Sequence, residues 1–159
     1  MIDQQTFEHL LPLAYEWARK EEEFILTHGS PLSERASADA LRAGVRDPSR
    51  VRVLVVDRIP LPENPILAEA SAQTHVITDA SRAVAIGYGI IIRADAWGDR
   101  ELLVHQLVHV AQRERSGSLE AYVRQYLSDR RECRDFTIGS FEDEARRRAR
   151  EICAEAAAN

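Results

Sequence analysis

The chemistry and the local fold of this chain depend most on the segment His105-Gln106-Leu107-Val108-His109. Apolar residues recur at helical spacing on both sides of it, at Leu102, Leu103, Val110 and Ala111, so the segment is predicted to lie inside an α-helix. On a helix, side chains four positions apart lie one above the other on the same face. Both imidazoles can therefore reach one metal ion, and the segment predicts a metal site.

Gln106 makes this segment unusual. The spacing is that of the HExxH zinc motif, but glutamine stands where that motif has its catalytic glutamate. In hydrolases with the motif, the glutamate removes a proton from the attacking water, and a neutral amide has no basic oxygen that could do so. The sequence therefore predicts that the metal-binding half of the motif is intact and that the hydrolytic half is missing.

Composition sets the broad class of protein. The chain has 159 residues, of which 45% are hydrophobic and 30% charged, as expected for one globular domain over residues 1–159. A net charge of -5 argues against nucleic acid as a partner. The apolar runs are shorter than the ~20 residues of a membrane span, so no membrane association is expected. Two cysteines, Cys133 and Cys153, and the lack of a signal-peptide pattern predict a cytoplasmic protein with free thiols, with a Cys133–Cys153 bridge as the alternative. The sequence does not specify an oligomeric state.

The order of predicted elements defines the fold class. Apolar periodicity and turn residues divide the chain into N-terminal helices in residues 1–47, a small sheet in 48–96, and the metal-site helix with C-terminal helices in 97–159. The individual elements are predicted as helices over 3–27, 33–43, 100–115, 119–134 and 140–152, and as strands over 51–56, 74–78 and 89–93. A proline-rich loop is predicted over 59–65, and Gly87 and Gly89 mark a bend between residues 83–86 and the last strand. Because helices and strands do not alternate, the arrangement is α+β and not doubly wound.

A two-histidine metal site needs a further ligand, and acidic residues at the start of the last predicted helix can provide it. Catalytic zinc sites usually have three protein ligands and one open position. Glu142 and Glu144 begin the last predicted helix and can supply the carboxylate. His75, on a predicted strand, can approach the same site or serve as a structural histidine. The remaining aromatic and histidine candidates are expected elsewhere: His9 and His28 on the surface, and Trp97 as a core anchor or a pocket wall.

Two segments resemble a known superfamily, the zincins, and in particular small bacterial zincin-like domains of gluzincin type. Glu101 to Gln112 resembles their active helix, written LLxHELxHVxQ, and residues 140–145 are similar to their E-x-E-A third-ligand helix. The resemblance covers about residues 85 to 150. It implies a zincin-like fold, with a small sheet, an active-site helix and flanking helices, and a Zn2+ site. The implied ligands are His105, His109 and Glu142, with Glu144 as the alternative in another register; other divalent metals suit the same ligands.

The resemblance also implies features around the metal. The strand at 89–94 takes the place of an edge strand that pairs with an extended substrate. Arg146 stands where some relatives carry an aspartate that orients a histidine. With Gln106 at the general-base position, acid-base chemistry would need another group. Tyr122 and Tyr126, four residues apart, can point at the metal and stabilise an oxyanion, or else pack in the core.

Three functions remain compatible with these observations. The first is a metal-binding zincin-like protein of metallopeptidase ancestry whose peptide hydrolysis is impaired by Gln106, whether natural or engineered. The second is a non-hydrolytic metalloenzyme that uses its metal as a Lewis acid on a small substrate, for which we expect a closed apolar pocket. The third is a non-catalytic pseudoenzyme that binds a peptide or protein. Two ordinary helix histidines without a metal remain the alternative to all of them.

Overall fold

A computed structural model describes residues 2–74, 76–132 and 140–158, which form six α-helices and one four-stranded sheet. This confirms the predicted α+β class. The helices are α1 (Gln4–His28), α2 (Glu34–Ala43), α3 (Pro65–Thr74), α4 (Arg100–Ser116), α5 (Leu119–Glu132) and α6 (Phe141–Ala158). The strands are β1 (Ser30–Pro31), β2 (Arg52–Val56), β3 (Ala83–Ile86) and β4 (Gly89–Arg93). No described helix has the length and apolar character to cross a membrane.

Capping side chains place the helix ends close to where the sequence predicts them. Asp3, Ser33 and Asp99 accept hydrogen bonds from the first turns of α1, α2 and α4, and Ser140 does the same for α6. At the other end of α2, Gly44 has the left-handed conformation (φ 99°) expected of a C-cap glycine. The start of the metal-motif helix is therefore fixed by local sequence.

The sheet corrects the prediction that residues 89–94 form an edge strand. Its strand order is β1-β2-β4-β3, so β4 lies inside the sheet, parallel to β2 and antiparallel to β3. The turn at Gly87, with φ of +64°, folds β3 back along β4 and makes β3 the edge. Ile90, Ile91 and Ile92 are all buried, as in a strand that is covered on both faces.

A second correction concerns the predicted strand over 74–78. Residues 65–74 form α3, and residues 76–78 are not a strand; His75 lies outside the described residues. The helix begins because Asn64 Oδ1 accepts from the backbone N–H groups of Ile66 and Leu67, and because proline is well suited to the first helical position. Ser71 Oγ then bonds to the backbone of Ile77, which holds the following segment against α3 instead of in the sheet.

Two apolar cores lie on opposite faces of the sheet. Ile90 and Ile92 pack into a core formed with α2, α4 and α6, whereas Ile91 packs into a second core formed with α1, α3 and α5. Residues of α4 such as Val104 and Leu107 are fully buried in the first core. The opposite face of α4, which carries the two histidines, is thereby directed towards α5 and the start of α6.

A buried ion pair fixes α2 against the N-terminus of α4. Arg100 donates to both carboxylate oxygens of Asp39, at 2.9 and 2.8 Å, and Asp39 is only 4% exposed. A two-point contact of this kind holds both side chains in one geometry. Because Arg100 is the first residue of the helix that carries the histidines, this pair contributes to the position of the site.

We expect Asp39→Ala to lower the free energy of unfolding by about 2 to 3 kcal/mol, because it leaves the Arg100 guanidinium partly buried without its partner. Urea denaturation checks this value. Glu16→Ala is the matched control, since Glu16 pairs with Arg19 on the exposed face of α1, and should cost less than ~1 kcal/mol. Equal losses in the two variants would contradict the structural role of the Asp39–Arg100 pair.

Candidate metal centre

Two neighbouring helices bring the three predicted metal ligands together. His105 and His109 lie one turn apart on α4, with ring centroids 5.0 Å apart. Glu142 lies in the first turn of α6. Its Oε2 is 3.0 Å from His105 Nε2 and its Oε1 is 3.1 Å from His109 Nε2. These side chains form a group of possible ligand atoms that all lie within 4.8 Å of one another.

The spacing of these atoms suits a small divalent ion. Zinc bonds of about 2.05 Å in a tetrahedron separate neighbouring ligand atoms by about 3.3 Å. The two measured nitrogen-to-oxygen distances, 3.0 and 3.1 Å, are only slightly shorter. Two imidazoles and one carboxylate are also a donor set that zinc prefers and that leaves one position open. The residues present therefore fit the metal that the motif implies.

The protonation of the group follows from its burial and its contacts. Burial alone would raise the pKa of Glu142, but hydrogen bonds from His105 and His109 outweigh it and hold that pKa far below its usual range. Burial likewise would lower the pKa of His109, yet the contact with Glu142 raises it. Glu142 is therefore an ionised carboxylate, which is the form that ligates a cation.

Gln112 fixes the orientation of the His109 ring, a role that we did not predict from the sequence. Its Nε2 donates to the carbonyl of Phe141 and to Glu144 Oε1, both at 2.9 Å. Because both partners are acceptors only, the amide oxygen must face His109 Nδ1, which lies 2.7 Å away. Nδ1 therefore donates to Gln112, and in the protonated ring Nε2 donates to Glu142. When the ring is neutral, Nδ1 keeps its hydrogen and Nε2 has the lone pair that can ligate a metal.

These contacts define the roles of the other acidic and basic candidates. Glu144 accepts from Gln112 and pairs with Arg115 at 2.7 Å, so the structure places it behind the site and not among the possible ligands. The contact at His109 Nδ1 is made by Gln112. The signal for Gln112 was present in the sequence, because a residue three positions after His109 shares its helix face.

The two predicted tyrosines have different positions. Tyr126 donates to Glu142 Oε1 at 2.7 Å and meets the His109 ring edge to face at 5.7 Å. Burial, followed by the charge of Glu142, raises the pKa of Tyr126 well above its usual value, so its hydroxyl remains a donor. Tyr122 stacks on Phe141, with ring centroids 5.6 Å apart, which is the packing role that was the alternative for this pair.

Gln106 lies between the histidines at the end of an apolar cavity of about 260 Å³. The cavity is bounded by α1, α3, β3, α4 and α5, and its wall includes His105, His109 and Glu142 as well as Gln106. Gln106 is 5% exposed. The residue at the general-base position thus lines the same cavity as all three possible ligands.

The remaining aromatic and histidine candidates lie away from the group. His9 and His28 are exposed, as predicted, and contact Gln5 and Phe24 on their own helix. Trp97 is 56% exposed, so its predicted place in the core is wrong, and it is not among the residues that line the cavity beside Gln106. Trp97 follows the turn of residues 94–96 directly, which leaves its ring outside both cores. His75 and Cys133 fall outside the described residues, and Cys153 is a free thiol.

We expect Gln112→Leu to weaken zinc binding about 10- to 100-fold, because the His109 ring loses the acceptor that fixes its orientation. Competition with a chromophoric chelator measures the affinity. Gln125→Leu is the matched control, since Gln125 bonds to Asp129 on the exposed face of α5. The orienting role is refuted if both variants bind zinc like the parent protein.

Comparison of the chain with protein-family models found no match, and comparisons with curated proteins and with solved structures found none either. The site is therefore interpreted from its own geometry.

Proposed function

We propose that this chain is a metal-binding, zincin-like protein of metallopeptidase ancestry in which peptide hydrolysis is impaired. The observation that supports this most directly is the convergence of His105 Nε2 and His109 Nε2 on the two carboxylate oxygens of Glu142. Elements distant in sequence supply this group, with the histidines at the HxxxH spacing on α4 and the carboxylate two helices further on, at the start of α6. Zn2+ is the preferred ion for such ligands.

The surrounding residues supply the other parts of the proposed centre. A bound divalent ion would act as a Lewis acid that polarises a substrate carbonyl. Gln106 can orient a substrate by hydrogen bonding but cannot take up a proton. Tyr126 keeps its hydroxyl hydrogen and uses it to hold Glu142. Among these groups none has the role of the missing glutamate, and losing a general base typically reduces the rate by ~10²- to 10⁴-fold.

The cavity favours a second candidate function, a non-hydrolytic metalloenzyme acting on a small molecule. The space beside the possible ligands is mostly apolar and is lined by helices on several sides. Enclosed, mostly apolar sites with a few converging polar groups are typical of small-molecule binding. A Lewis acid acting on such a substrate would need no glutamate at position 106.

The metal content of the purified protein tests the centre itself. We expect about one zinc per chain by elemental mass spectrometry, and a loss of nearly all of it in His109→Ala and in Glu142→Gln. Glu144→Gln is the matched control and should keep its zinc, because Glu144 contacts Gln112 and Arg115 instead of the histidines. Zinc that persists in His109→Ala would contradict the proposed ligand set.

The Gln106→Glu variant separates the two candidate functions. If the chain is a disabled hydrolase, restoring the carboxylate should raise peptidase activity on a mixed peptide library by ~10²-fold or more over the parent. Gln73→Glu, a change of the same kind on α3, should have no effect. A zinc-loaded Gln106→Glu protein without hydrolytic activity would favour the small-molecule enzyme.

A further inference from the structure

The cavity described above has an apolar body and one chemically distinct end. Most of its wall consists of aliphatic and aromatic side chains from α1, α3, β3 and α5, among them Leu10, Ala14, Ala70, Val84 and Val123. An engineered cavity of roughly 150 Å³ holds a benzene molecule. At about 260 Å³ this cavity has room for a larger group, such as a bicyclic ring or a chain of about eight carbons.

The cavity wall carries a net positive charge. Apart from the imidazoles, the described lining residues that carry charge are Arg130, Arg131 and Glu142. The wall therefore has one more cation than anion before any metal binds, and a divalent ion would add to the excess. A low-dielectric wall strengthens this field. An anionic ligand is favoured over a neutral or cationic one of the same shape.

Arg130 is the residue best placed to bind the anion. It lies one helical turn after Tyr126, so both side chains are on the same face of α5. Arg130 forms part of the cavity wall, and within the described part of the chain its guanidinium donates to the carbonyl of Thr74 at 3.2 Å. A guanidinium has five N–H donors, so this one contact leaves donors for a carboxylate. Arg131, in contrast, is engaged with Gln4 and with the Phe7 ring.

We propose that the cavity binds a small amphiphilic carboxylate, with its apolar group among α1, α3 and α5 and its carboxylate paired with Arg130. Because the same cavity reaches Gln106 and the possible metal ligands, such a molecule is the substrate class of the centre. The inference rests on the proposed function for the chemistry that follows binding, but binding itself depends on the cavity and on Arg130.

Isothermal titration with octanoate and with 1-octanol tests the inference, because the two probes share the apolar chain and differ in head group. We expect one octanoate to bind per chain of the zinc-loaded protein, at least tenfold more tightly than 1-octanol. Arg130→Gln should weaken octanoate binding at least tenfold and leave 1-octanol unchanged, since it removes the charge and keeps the apolar wall that contacts the octyl chain. Arg124→Gln is the control, because Arg124 pairs with Glu8 on the exposed side of α5.

A bulky side chain in the wall tests the location of the apolar group. Ala70→Phe should weaken both probes at least tenfold, whereas Ala68→Phe, on the same helix but outside the cavity wall, should not. Ala14→Leu on α1 is a second filling variant in case Ala70→Phe does not fold. Binding of both probes that is unchanged in every folded filling variant would overturn the proposal.

The remaining outcomes distinguish this inference from the proposed function. Octanoate binding that persists in zinc-free His109→Ala would support the carboxylate site separately from the metal. If the parent protein holds zinc but binds neither probe at millimolar concentration, the proposed function stands and this inference is wrong. If octanoate and 1-octanol bind equally well, or if Arg130→Gln binds octanoate like the parent, the assignment of an anionic ligand is wrong.

Discussion

The carboxylate of Glu142 lies between two imidazoles and a phenol, and this contact joins three helices. His105 and His109 come from α4, Tyr126 from α5 and Glu142 from α6. An ionised carboxylate that is mostly removed from water is costly unless it is paired and hydrogen-bonded, so each of these contacts is needed to keep it in place. A cation at the same point would satisfy the lone pairs of both imidazoles and of the carboxylate. Together with the apolar packing of Ala145, Ala149 and Ile152, this arrangement holds the start of α6 against α4.

Capping residues and apolar periodicity were sufficient to predict the elements of the fold that local interactions determine. The metal-motif helix was predictable because Asp99 caps its start, Gly117 ends it and apolar residues follow a helical period between them. The proximity of His105 and His109 was predictable because a fixed helical spacing puts them on one face. Glu142 needed the resemblance as well, since a contact between residues 37 positions apart has no local signature.

Two errors have identifiable physical causes. The prediction of a strand over 74–78 followed a short apolar run, whereas the stronger signal was Asn64-Pro65, an N-cap followed by a first-turn proline. The expectation that β4 is an edge strand came from the resemblance. Its three consecutive isoleucines indicate instead a strand buried on both faces. The cavity could not be predicted at all, because its walls come from α1, α3, β3 and α5, and their apposition is a tertiary property.

The central claim is that His105, His109 and Glu142 hold one divalent ion. A crystal structure of the zinc-loaded protein, with anomalous diffraction collected above and below the zinc edge, tests it most directly. The account predicts one anomalous peak about 2.0 to 2.2 Å from both Nε2 atoms and from a Glu142 oxygen. A peak bound by other side chains, or loaded crystals in which Glu142 still hydrogen-bonds directly to both imidazoles with no peak between them, would contradict it.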